Sequence, residues 1–167
     1  MEKVYYDLLT AIENEITHKF IFSIILSIIL VISLIGVVIF SKNKTNRIWL
    51  FITLAIVIII AITYSIYIGI VKLNIQKDID QNCFATYEGE FSFSKVSQSN
   101  PEYHSIKIMN DSSSTITLKL YHNDRLKNFY PILGEYITFE NGSYCGKVIY
   151  APNSRIVLNI EGFFRAE

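Results

Sequence analysis

The densest grouping of reactive side chains lies in YHNDRLKNFY, where Tyr121, His122, Arg125, Lys127, Phe129 and Tyr130 fall within ten residues. Planar rings stack on nucleobases, and guanidinium and ammonium groups meet phosphates, so this mixture suits a small anionic ligand that carries bases. Ordinary solvation of a loop explains the same residues and is weighed beside it. Arg155 supplies a further cation beyond a second turn, and Lys107, Lys119 and Lys147 lie elsewhere in the same region. The candidate ligand-binding residues are therefore Tyr121, His122, Arg125, Lys127, Tyr130 and Arg155. From Phe84 to the end there are eight basic and nine acidic residues. That balance gives no field for a long nucleic acid and leaves a local pocket for a small anion open.

Catalytic chemistry has no comparable candidate. The chain lacks a phosphate-cradling glycine loop, a dinucleotide fingerprint, a nucleophile elbow and an HExxH sequence. His18, His104 and His122 form no short metal-ligand constellation. Glu88 and Glu90 alternate along one edge of a strand pattern, where a solvated face accounts for both. Cys83 and Cys145 are too few for a disulfide scaffold, although a single bridge is open to them in an oxidising compartment. A non-enzyme without a metal or cofactor is the expectation.

The elements that must carry these residues follow from hydropathy. The 167 residues are 51% apolar, and 15 basic residues cancel 15 acidic ones. Much of the apolar excess lies in two runs without ionisable groups, residues 20–41 and 48–71, of 22 and 24 residues. As helices they reach roughly 33 and 36 Å at about 1.5 Å per residue, enough to cross a hydrocarbon core with some tilt. The lipid bilayer is thus an expected partner. The first run is too long and starts too late for a cleaved signal peptide. Lys42, Lys44 and Arg47 sit in the short connection SKNKTNR, which makes the pair antiparallel and puts both flanks on one side. Ser23 and Ser27 in the first run, and Ala61, Ser65 and Gly69 in the second, recur at four-residue spacing that lets helix backbones approach. They are the candidate helix-packing residues, with lipid-facing filler as the alternative. Residues 1–19 carry Tyr5, Leu8, Leu9, Ile12 and Ile16 at helical spacing. They form an amphipathic segment on a membrane surface or partner, or an extension of the first membrane helix.

Residues 72–82 turn polar and read as a juxtamembrane linker or a helical continuation. From Cys83 the period becomes two. Cys83, Ala85, Tyr87, Gly89, Phe91 and Phe93 alternate with wet neighbours, and Gly89 marks a bulge, a bend or a close backbone approach. Further strands are expected over 104–109, 115–121, 129–133, 136–140, 143–150 and from Arg155 onward, with Asn141 and Gly142 as a hairpin turn. Residues 83–167 therefore form an antiparallel β domain of six or seven strands. An open sheet would expose two edges, so a small barrel or compact sandwich is favoured.

This layout of a short N-terminal stretch, two antiparallel spans and a β domain that opens with YEGEF (Tyr87 to Phe91) resembles the two-transmembrane, β-barrel effectors of bacterial anti-phage cyclic-oligonucleotide signalling. The resemblance covers nearly the whole chain and rests on architecture, with no ligand motif to carry over. It implies an inner-membrane protein with a cytoplasmic barrel that binds a cyclic di- or trinucleotide and self-associates to disrupt the membrane. The density of positive residues in the connecting loop leans the other way, towards a β domain outside the cytoplasm. A membrane-held immunity protein that neutralises a partner toxin, and an envelope sensor, are the alternative readings.

Overall fold

The computed structural model describes residues 2–40, 44–95, 103–109, 114–121 and 140–166. Two helices, α1 (Glu2–Phe40) and α2 (Lys44–Gln81), precede five strands: β1 (Ala85–Ser94), β2 (Tyr103–Met109), β3 (Thr115–Tyr121), β4 (Gly142–Ala151) and β5 (Ile156–Arg165). The chain divides into two compact units, one of residues 13–73 and one that joins residues 1–12 to residues 74–167.

Within residues 13–73 the helices are apolar over lengths sufficient to cross a membrane. Their large aliphatic residues point mostly outward; Ile25, Ile32, Ile59 and Ile66 are all exposed. The hydroxyls that interrupt this apolar surface are satisfied locally. Ser27, Ser33, Thr53, Thr63 and Ser65 each donate to the carbonyl four residues back, and Ser23 to the carbonyl of Phe20. Such back-bonding removes the cost of an unpaired hydroxyl in hydrocarbon.

In the other unit, the strands follow the closed-barrel order β1-β2-β3-β5-β4, with β4 pairing again with β1. β1 is long enough to serve two neighbours. Ala85 to Phe93 register with Tyr150 to Gly142 of β4, while Phe91 to Ser94 register with Ile108 to Ser105 of β2. The inward positions are Phe91, Phe93, Ile106, Ile108, Leu118, Leu120, Val148, Ile156 and Ile160, all essentially inaccessible to solvent. Gly89 and Gly146 face each other across β1 and β4. Gly89 has φ +150°, and a Cβ on Gly146 would lie 3.0 Å from the backbone of Phe163. Glycine is therefore needed at Gly146, where β4 and β5 come together next to a register shift.

Some alternatives resolve and some expectations change. Residues 72–81 are helix, the last turns of α2, as the continuation reading has it, and residues 82–84 connect them to β1: no Gly or Pro interrupts the helix, and Ile75 and Asp78 are buried one turn apart. The amphipathic N-terminal segment is the start of α1; its Tyr5, Leu8, Leu9 and Ile12 are buried, and the Tyr5 ring meets Phe84 edge-on. The sheet is mixed, because Lys119 and Ile156 place β3 and β5 parallel. Five strands occur among the described residues; the expected strands at 129–133 and 136–139 lie outside them. Gly142 belongs to β4, opposite Phe93, instead of forming a turn. Cys83 and Cys145 are both free thiols.

Candidate functional site

β2 alternates strictly and β3 does so up to Leu120, after which Tyr121 is buried as well, and their register decides what each face holds. His104 with Leu120, Ile106 with Leu118 and Ile108 with Ile116 point inward. Tyr103, Ser105 and Lys107 lie across from Tyr121, Lys119 and Thr117 on the other side of the strands, where Tyr121 is buried and Tyr103 half-buried. There the Tyr103 and Tyr121 rings lie 5.9 Å apart at an interplanar angle of 50°, and the Lys119 ammonium sits 5.3 Å from the centroid of Tyr103. The lysine is thereby held over an aromatic surface by a cation–π contact. Neither strand contains a carboxylate. Lys107 and Lys119 consequently give this face a positive sign, while β1 carries Glu88 and Glu90.

Arg155 joins the same region through its backbone. Its carbonyl accepts the Lys119 N–H at 2.8 Å, and its own N–H donates to the Ala151 carbonyl at 2.8 Å, which closes the β4–β5 turn. Arg155 is exposed and left-handed, with φ 60°. The turn is held from below by Asp78, near the end of α2, whose side chain is fully buried. Asn153 donates its N–H and Nδ2 to Asp78 Oδ1 at 2.9 and 2.8 Å, and Ser154 donates its N–H to Oδ2 at 2.7 Å. A buried carboxylate is tolerated because these donors replace its lost water.

A concavity of about 430 Å³ is formed by β1, β4 and β5, lined by Glu88, Gly146, Lys147, Glu161 and Phe164. Lys147 is engaged with Glu161 at 3.1 Å, and the Asn159 amide donates to the other oxygen of Glu161 at 3.1 Å. Two carboxylates against one engaged ammonium suit an anion poorly.

Of the residues singled out from sequence, Tyr121 and Arg155 fall at the β2–β3 face and the turn beside it. His122, Arg125, Lys127 and Tyr130 lie outside the described residues. Tyr103 was missed: it shares no sequence window with Tyr121, and only the strand register brings the rings together. The alternation of 103–109 against 115–121 was the signal that could have found it. Among the small residues, Ser65 Oγ donates to Ser23 Oγ at 3.0 Å, and a Cβ on Gly69 would lie 3.2 Å from the Phe20 ring. These positions pack α1 on α2 within one chain. Ser27 and Ala61 extend the two stripes by one turn, where Ser27 donates to the Ser23 carbonyl and Ser65 to that of Ala61.

Comparison with protein-family models, curated proteins and solved structures gave no match to this chain.

Proposed function

We propose that the chain is a membrane-anchored, non-enzymatic receptor whose β domain binds a cyclic di- or trinucleotide on the outer face of β2 and β3. The observation that carries this reading is the combination of Tyr103, Tyr121, Lys107 and Lys119 on one face of two strands that lack any carboxylate. The half-buried Tyr103 ring, backed by the buried Tyr121, offers stacking surface to a base, and the ammonium groups offer charge to a phosphodiester beside it. A five-stranded Greek-key barrel is also the OB-fold arrangement, which uses the face of strands 2 and 3 and the loop between strands 4 and 5 for oligonucleotides. Arg155 belongs to that loop here. Shared architecture alone decides little, so the weight rests on the side chains.

The architecture that the chain resembles extends the reading to an anti-phage effector of the bacterial inner membrane with a cytoplasmic barrel. Ligand that binds better to assembled than to single chains shifts assembly by that difference in affinity, and the gathered spans then disrupt the membrane. Because Ser23, Ser65 and Gly69 are engaged within the hairpin, self-association would draw on other parts of the helix surface, such as the side that bears Ser33 and Gly36.

Full-length protein in lipid nanodiscs, titrated with cyclic di-AMP, cyclic di-GMP, cyclic GMP–AMP and cyclic tri-AMP, tests the receptor. Saturable binding to at least one, weakened at least tenfold by the paired changes Tyr103→Ala and Lys119→Gln, is expected. Absence of binding to all four sinks the proposal.

A further inference from the structure

Asp78 stands apart from the β2–β3 face in sequence by some forty residues, yet a short chain of hydrogen bonds connects them. Both Asp78 oxygens are occupied by donors from consecutive residues of one turn, Asn153 and Ser154. Gln81, one helical turn on, accepts a longer bond from Asn153 Nδ2 at 3.4 Å. The next residue, Arg155, is the one non-glycine in the barrel strands and turns described with φ near +60°. That conformation is unfavourable for a residue with a Cβ and persists only where the surroundings impose it. Here the impositions are identifiable: Asp78 draws two successive amides inward, the Arg155 N–H closes onto Ala151, and the Arg155 carbonyl is taken by β3 at Lys119. Pro152 opens the turn with a fixed φ.

We infer that Asp78 is a positioning residue for the nucleotide site: by holding the amides of Asn153 and Ser154, it fixes Arg155 in the left-handed conformation in which its carbonyl is tied to Lys119 of β3 and its exposed side chain is carried next to that strand. The inference rests on the receptor reading for the identity of the ligand, and on the hydrogen bonds alone for the state of the turn. A carboxylate is required because only an acceptor with two oxygens serves three N–H groups without a donor of its own. An amide in its place turns an N–H towards an N–H.

The test uses full-length protein in nanodiscs in four forms: wild type, Asp78→Asn, Arg155→Gln and the double variant. Amide hydrogen exchange reads the turn. Asp78→Asn is expected to speed exchange at least tenfold at Asn153, Ser154 and Lys119, with the amides of Phe91 and Val148 unchanged. Unchanged protection at Lys119 overturns the inference, since the link from the turn to β3 would then stand without Asp78. Affinity for the four cyclic nucleotides reads the consequence. Each single variant is expected to bind about tenfold more weakly, and the double variant no more weakly than Arg155→Gln. Losses that multiply in the double variant overturn the positioning role, because Asp78 would then act by another route than Arg155. If wild type binds none of the four, the receptor reading falls, and the exchange result still decides what Asp78 does to the turn.

Discussion

At the scale of single residues, the proposed receptor separates groups that would touch a ligand from groups that would hold them. Tyr103 is the clearest of the first kind. Loss of one stacking surface costs about 1–3 kcal/mol, so Tyr103→Ala is expected to weaken nucleotide binding roughly tenfold or more with little change in thermal stability, measured by calorimetric titration. Asp78 is the clearest of the second kind. Asp78→Ala leaves the buried amide of Ser154 without an acceptor, at about 1–3 kcal/mol, and removes the acceptor of the more exposed Asn153. A midpoint shift of that order in chemical unfolding of the barrel is expected, and an unchanged midpoint would show that water replaces the carboxylate. The two residues also differ in how legible they were. Arg155 and Tyr121 stood out as a cation and a ring near turns. Asp78 looked like one polar residue among Asn74, Gln76, Lys77 and Asp80, because nothing local to α2 reveals that its partners lie 75 residues away in another turn.

At the scale of elements, periodicity was the informative signal and pairing was not. The 3.6-residue stripe of Tyr5, Leu8, Leu9 and Ile12 and the twofold alternation of β1 and β2 were readable because burial on one face imposes them, whereas Val157 of β5 and Tyr121 of β3 are buried on the face that alternation assigns to solvent. The parallel pairing of β3 with β5 left no such mark, since both directions use the same alternation. The same holds for the end of α2, where polar composition suggested a linker and burial of Ile75 and Asp78 kept the helix going. Two substitutions test the packing of elements. Gly146→Val sets a side chain against the Phe163 backbone; overpacking of this kind costs about 1–3 kcal/mol, and loss of the β4–β5 register, followed by exchange of the Val148 and Ile160 amides, is expected. In the helical hairpin, a Ser23→Cys, Ser65→Cys pair is expected to form a disulfide under oxidation, since the two hydroxyl oxygens are 3.0 Å apart. Adding Gly69→Leu, which forces a side chain onto Phe20, is expected to reduce the cross-linked fraction severalfold. Efficient cross-linking in that triple variant would show that Gly69 is not needed for close approach.

At the scale of the whole molecule, a ligand that binds the folded barrel alone stabilises it in proportion to its occupancy. Saturation at about a hundred times Kd corresponds to about 2.7 kcal/mol, so a cyclic nucleotide is expected to raise the barrel's melting temperature by several degrees. Higher salt is expected to shrink that shift, because Lys107 and Lys119 act on phosphate across a screened surface. A shift that ignores salt would argue for an uncharged ligand. The division of the chain into residues 1–12 with 74–167, and 13–73, has a further consequence for biosynthesis. The first twelve residues leave the ribosome first, and Asn159 of β5, whose amide donates to the Tyr5 hydroxyl at 3.4 Å, is made among the last. At about 5–20 residues per second, roughly 7–30 s separate the two events. Throughout that interval the unit to which Leu8, Leu9 and Ile12 belong is incomplete, and whatever part of their burial it supplies, up to about 1.5–3 kcal/mol each, is forgone. Completion of the barrel must therefore follow synthesis of both apolar helices, and a nascent chain halted before β5 would present its N-terminal helix to whatever apolar surface is nearest.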